Sequence, residues 1–380
     1  MNLHRRHVFG TLGFALAAVT IGTLPLAASA GANQAEGLRS GMVFTSSNDT
    51  AGNELLVYAR APEGGLMMVT HASTGGLGSG AGLGSQGAVT LSRDGRFVFV
   101  VNAGDNTVST FALHGGALVL KSTVDAGGLH PISVTEHDGL VYVLNAGGDG
   151  NVAGFRNRHG MLEPVAGSVR GLSVAGGAGP AQVGFSDDGD AIVVTEKATN
   201  KLTSYRVDGD GSIRPPIVTP SPGMTPFGFA FNRRNRLIVS EAFGGAPGAS
   251  TVSSYRFDNT SPALPVLVSA AVPDMQTAAC WVAITPNGRY AYVTNTGSSN
   301  VSSYRVAPDG QTTLLQAVAG ETGAGSAPLD AAASPDGGHL YVLNGKTFTL
   351  SSFKVKDDGS LVARPETGGL PTTAVGLAAN

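Results

Sequence analysis

Short apolar runs alternate with polar turns along most of this chain, and the alternation repeats. One unit opens with Pro180-Ala181-Gln182-Val183-Gly184-Phe185-Ser186 and turns at Asp188-Gly189. It continues through Ala191-Ile192-Val193-Val194-Thr195, crosses a polar loop, and ends on Asn200-Lys201-Leu202-Thr203-Ser204-Tyr205. The period-two alternation and the Asp-Gly turn predict β-strands and no helix. The closing aromatic recurs as Tyr58, Phe111, Phe155, Tyr205, Tyr255, Tyr304 and Phe353, with spacings of 53, 44, 50, 50, 49 and 49 residues. The turn recurs at Asp94-Gly95, Asp138-Gly139, Asn287-Gly288 and Asp336-Gly337, with Arg234-Asn235 as a degraded copy. A period near 50 with about four strands per unit is the signature of a propeller blade. The fold class is therefore all-β, a seven-bladed β-propeller.

The first unit lacks its opening strand, since Met42-Val43-Phe44-Thr45 already reads as the second strand of a blade. The missing strand is supplied by Pro371 to Ala378, which matches the Pro180 segment in outline. The C-terminal strand is thus expected to complete blade one, closing the ring and hiding both edges. With strands lettered A to D from the channel outwards, the A–B and C–D turns lie on one face. The D–A connections and B–C loops lie on the other. Gly75 to Gly87 reads as the long D–A connection into blade two, because it lacks the strand-to-helix setting of a phosphate loop.

Composition narrows the classes. The chain has 55 glycines, 13% charged residues and a formal charge of −3, which argues against a nucleic-acid partner. The N-terminus reads as a targeting segment: Arg5-Arg6, an apolar stretch from Val8 to about Leu26, then Ala28-Ser29-Ala30. Twin-arginine and Sec export remain alternatives. The expected division is residues 1–30 as a cleaved signal peptide, 31–41 as a linker and 42–380 as one propeller, periplasmic or secreted. Loss of Arg5 and Arg6 takes the formal charge from −3 to −5. The lone Cys280 excludes an intramolecular disulfide and reads as a small buried apolar residue. No His/Cys cluster has zinc spacing, so neither metal nor cofactor is expected. The mature protein is expected to be a monomer free of the membrane.

Chemistry is sought where residues interrupt the repeat. Strand B usually ends in Asn, at Asn102, Asn145, Asn295 and Asn344, but in two adjacent blades it ends in Glu196 and Glu241, and Lys197 follows the first. Two neighbouring carboxylates can act as acid and base or hold a cation. Equally they are solvated loop charges or partners of Lys197. The start of strand A supplies a second ring, His130, Gln182, Phe227, Trp281 and Asp330. Trp281, the only tryptophan, and Phe227 suit one wall of a ligand cleft, or inter-blade packing. His130 before Pro131 suits a structural role or, like Gln182, a ligand contact on the rim. Asp330 either coordinates or bonds backbone amides.

Leu91 to Asn102 and Ile284 to Asn295, together with Val194-Thr195-Glu196-Lys197, Thr225-Pro226-Phe227-Gly228-Phe229 and Val239-Ser240-Glu241-Ala242, resemble the lactonase-type seven-bladed propellers. That group includes 6-phosphogluconolactonases and 3-carboxymuconate cyclases, and the phrases look like a secreted bacterial branch of it. The resemblance implies a His and an Arg at starts of strand A, and a Glu and an Arg after strand B. The matching positions here are Ala181 or Gln182, Phe227, Glu241 and Thr296. One of the four is kept. Lactone opening or closing calls for cationic groups to stabilise developing negative charge.

Two functions follow. One is a lactone hydrolase or muconate-cyclase-like enzyme with a remodelled site: Glu241 and Glu196 for proton transfer, Lys197 as the replacement cation, Trp281 and Phe227 as the wall. The other is a non-enzymatic propeller that holds a small ligand or a partner protein on the same rim.

Overall fold

The computed structural model describes residue 1 and residues 41–61, 64–114, 117–257 and 264–380. The expected signal peptide and most of the linker lie outside the described residues. Seven antiparallel sheets of four strands succeed one another along the chain, and blade three adds a short strand, Arg170–Gly171. Among the described residues the only helical turn is a 3-10 segment at Phe243–Gly245.

Closure occurs where the missing strand predicts it. Val375–Ala379 lies beside Met42–Ser46, with Val43 opposite Ala379 and Phe44 opposite Ala378. Strand pairing begins later than the sequence match, because Pro371 to Ala374 forms a turn first, closed by the Ala374 amide on the Pro371 carbonyl at 3.1 Å. Asn380 adds a clamp by accepting the Met42 amide on its side chain at 2.9 Å.

The repeated aromatics explain the period. Tyr58, Phe111, Phe155, Tyr205, Tyr255, Tyr304 and Phe353 are all buried, each on strand C of its own blade. They join the apolar clusters formed by neighbouring blades, as Tyr304 does with Ile238 and Val293. Burying each ring contributes roughly 1.5–3 kcal/mol, so the aromatic slot is a recurring packing demand.

The channel is closed at one end by the chain itself. The Gly-rich connection leaves strand D of blade one, Leu66–Ser73, and runs inward before it reaches strand A of blade two, Val89–Leu91. On the way Ser85 Oγ donates to the Ile132 carbonyl of blade three at 2.7 Å. The Gln86 amide donates to Ala181 of blade four at 3.1 Å. Gln86 Nε2 donates to Val282 of blade six at 2.8 Å, and the Gly87 amide to Asp330 of blade seven at 3.2 Å. Strand A is the inner edge of every blade, so its free peptide groups are the natural partners of such a plug. Towards the Asp-Gly turns the channel stays open as a cavity of about 750 Å³, floored by Gln86 and lined in part by Gln182, Glu136, His137, Arg93 and Arg233.

Candidate functional site at the channel mouth

Glu196 and Glu241 do not face a cleft. Both are wholly buried. The Glu196 carboxylate accepts from the Ser173 amide at 2.9 Å, Thr203 Oγ1 at 2.6 Å, Thr199 Oγ1 at 2.7 Å and the Ser173 hydroxyl. Glu241 accepts from Ser221 Oγ at 2.8 Å, the Gly223 amide at 2.9 Å, Ser253 Oγ at 2.7 Å and the Thr251 hydroxyl. An added Cβ at Gly223 would collide with the Glu241 carboxylate, so the loop is moulded around it.

The asparagines at the same position show what these glutamates do. Asn102 Nδ2 donates to Thr107 and Ser109, Asn295 to Asn300 and Ser302, and Asn344 to Thr349 and Ser351, all at 2.7–3.0 Å. The end of strand B braces strand C in each case, and glutamate is the acceptor version of the same strut. Its longer arm also ties down the incoming D–A connection. Neither carboxylate is paired with Lys197; among the described residues their partners are hydroxyls and amides.

Lys197, Phe227 and Trp281 do come together, on the face predicted from strand polarity. The Phe227 and Trp281 rings are 5.0 Å apart between centroids, and Lys197 Nζ sits 4.7 Å from the centre of the Phe227 ring. Trp281 is buried beside Ala242 and Cys280 and donates its indole N–H to the Ser85 carbonyl at 2.8 Å. Lys197 Nζ donates to the Gly84 carbonyl at 2.5 Å. Burial pushes the Lys197 ammonium down to about 8, because no carboxylate offsets its lost hydration. Burial pushes the Cys280 thiol up to about 11, opposed by a hydrogen bond with Thr296, so it stays a neutral thiol.

The remaining ring residues separate. Gln182 donates to the Phe229 carbonyl at 3.0 Å and accepts the Phe229 amide at 2.7 Å, stitching blade four to blade five. His130 has φ 53° and places its backbone amide on Asn106 Oδ1 at 2.7 Å, a loop-forming role. Asp330 accepts backbone amides of Gly87 and Leu377 at 3.2 Å and of Ala331 at 2.9 Å, and burial raises its carboxyl to about 7. It binds peptide groups at the joint of blades seven, one and two. Sequence reading missed Ser85 and Gln86. Their one trace was the spacing of 53 residues between Tyr58 and Phe111, the longest in the series. Among the described residues no group of His, Cys, Asp and Glu has the geometry of a metal site.

Residues 51–171 and 249–375 match the family described as Lactonase, 7-bladed beta-propeller. The unmatched stretch between them holds blade four and the two inner strands of blade five, which carry Glu196, Lys197, Phe227 and Glu241. Among curated proteins none matches. Solved structures share the fold at low identity. The periplasmic gluconolactonase PpgL of Pseudomonas aeruginosa is 19% identical, with a TM-score of 0.65 over 88% of this chain and 99% of that one. A protein from Bacteroides uniformis provisionally named a 6-phosphogluconolactonase is 17% identical, with a TM-score of 0.67 over 88% and 98%. A Lactobacillus plantarum protein is 17% identical, with a TM-score of 0.69 over 89% and 98%. The repeats, the ring closure and the family match agree: this chain belongs to the lactonase family of seven-bladed β-propellers.

Proposed function

We propose that this protein is an exported enzyme that opens unphosphorylated lactones at a remodelled site centred on Lys197. The observation that carries the proposal is the geometry at the channel mouth, an amine with no carboxylate partner among the described residues, set over Phe227, whose ring packs against Trp281; burial pulls that amine down to about 8. With both glutamates committed to struts, Lys197 takes the base role first expected of Glu241. A lactone displaces the Gly84 carbonyl from Nζ and lies against the aromatic wall. The neutral amine takes a proton from water as the water oxygen attacks the ring carbonyl. The ammonium then returns that proton to the departing ring oxygen as the acyl C–O bond breaks. A hydroxy acid is released. The same transfers in reverse close a lactone. Phe227 and Thr296, at the two positions where the family has arginines, offer no grip for a phosphate, which favours unphosphorylated substrates. Export is supported by the Arg5-Arg6 segment and by the periplasmic gluconolactonase among the structural relatives.

The test is turnover of a panel of unphosphorylated sugar lactones and simple γ-lactones across pH 6–10. The expected kcat/KM rises to a plateau through a pKa near 8 and falls at least about a hundredfold in Lys197→Met. Equal rates in wild type and variant would remove Lys197 from the chemistry.

A second reading is favoured by the plug. Ser85 and Gln86 already occupy the Trp281 N–H and the Val282 peptide. A rim finished in this way suits a non-enzymatic propeller that binds a ligand or partner protein there. No turnover of any lactone by correctly folded protein would favour this reading.

A further inference from the structure

The opposite face carries a charge arrangement that the repeat does not call for. In blade two the turn aspartate neutralises its own arginine, with Arg96 Nε 2.5 Å from Asp94 Oδ2. Elsewhere on this face Arg93 pairs with Asp187 at 3.2 Å, Arg214 with Asp208 at 2.6 Å and Arg60 with Asp336 at 3.7 Å. Blades five and six break the rule. Asn287 stands where Asp94 stands, ahead of Arg289, and Arg234 replaces the turn aspartate of blade five outright.

The result is a cleft of about 650 Å³ between the turns of these two blades, lined by Arg233, Arg234, Arg289 and Arg305 and by no carboxylate. All four arginines are exposed, and among the described residues none lies within 4.0 Å of a carboxylate oxygen. Two of them are held in place. The Arg289 and Arg305 guanidiniums lie 5.4 and 5.6 Å from the centroid of the same ring, Tyr290, whose hydroxyl is fixed on the Asp357 carbonyl at 2.9 Å. Like charges gathered on one aromatic repel, and an anion between them turns that repulsion into attraction. Planar guanidiniums match the paired oxygens of carboxylate and phosphate groups. On the blade-seven side Arg233 and Arg289 also line a second cavity, but Asp336 and Asp357 stand on its wall. The acid-free cleft is the better anion site.

We propose that this cleft binds a small multivalent oxyanion, a polycarboxylate or a phosphate ester, through Arg233, Arg234, Arg289 and Arg305. It lies on the face away from Lys197 and is independent of the lactone reaction. Isothermal titration of the purified protein with citrate, and separately with inorganic pyrophosphate, tests it. The expected result at low ionic strength is one saturable site for at least one probe, with Kd below about 1 mM. Binding should weaken with added salt. The Arg289→Gln/Arg305→Gln pair should raise Kd at least about tenfold, whereas Lys197→Met should leave it unchanged. Arg234→Gln, on an exposed turn, provides a second variant with little risk to the fold. Response to citrate alone assigns carboxylates, and to pyrophosphate alone phosphates. Saturable binding of neither probe, or equal binding by folded wild type and variants, would overturn the proposal.

Discussion

Gln86 and Val282 exchange a pair of hydrogen bonds across the channel: Gln86 Nε2 donates to the Val282 carbonyl at 2.8 Å, and the Val282 amide donates to Gln86 Oε1 at 3.1 Å. This amide side chain imitates a strand partner for the bare inner edge of blade six. Gln86→Ala removes both bonds, although channel water can replace part of them. The expected cost is about 1–2 kcal/mol in urea unfolding. Ser85 should then leave the Trp281 indole, and the emission of this sole tryptophan should move to longer wavelength. An unshifted spectrum would mean that the plug is held without Gln86.

Removal of residues 371–380 tests the ring joint. It deletes the inner strand of blade one and the buried contacts of Val375 and Leu377. A loss of several kcal/mol lowers the melting temperature of a domain this size by at least about 5 °C. Calorimetry of the truncated protein reads the shift, and an unchanged melt would show that closure there adds nothing.

The strut role of Glu241 separates two substitutions. Glu241→Gln keeps one oxygen for Ser221, Gly223 and Ser253 and lets the new amide donate to Thr251, so the expected loss is about 1 kcal/mol. Glu241→Leu strands the Gly223 amide and three hydroxyls and should cost at least about 3 kcal/mol. Chemical denaturation of both variants gives the comparison. Similar losses would argue against the strut.

Asp330 should make stability depend on pH. Burial raises its carboxyl to about 7 in the folded protein, above the 3.8 of the free group. The folded state therefore keeps its proton while the unfolded chain ionises. The contribution is fully present below about pH 4 and is lost as pH rises towards 7, on the order of 4 kcal/mol in all. Asp274 and Glu136, also raised by burial, act in the same direction. Asp330→Asn should reduce the proton release measured on unfolding between pH 4 and 7 by about one proton. No reduction would mean that Asp330 ionises normally in the fold.

The Lys197 amine offers a direct reading of its surroundings. Reductive methylation with labelled formaldehyde followed by NMR titration should find one lysine near pH 8, absent in Lys197→Met. Phe227→Ala lets water reach Nζ and should move that titration towards the usual 10.5. A titration unmoved in that variant would place the cause elsewhere.

The architecture was legible because a propeller repeats one packing problem seven times. Aromatics such as Tyr205 and Tyr304 mark the same slot, and the Asp-Gly turns mark the same corner. The site was less legible, because a residue that breaks a repeat need not be one that reacts. Glu196 and Glu241 break the asparagine pattern yet do the asparagines' work. The clue lay in the hydroxyl partners: Ser109, Ser302 and Ser351 follow their asparagines by seven residues, and Thr203 follows Glu196 by the same interval. Strand polarity put Lys197, Phe227 and Trp281 on one face, whereas their contact depends on side-chain packing that polarity does not give. The plug was not legible, since Gly75 to Gly87 has no periodicity and its partners, backbone and side chain alike, lie on strands far along the chain.

Blade one has a different bearing on how the molecule is made. Its closing contacts join residues more than 320 positions apart, as between Thr45 and Val375 or Met42 and Asn380. During synthesis the first strands emerge with one edge bare, and their partner strand is made more than 320 residues later. Blades two to seven can assemble in turn from local hairpins, but the first waits until Val375–Ala379 has been made. Until then Met42–Ser46 is an open strand edge, the kind of surface that chaperones must shield.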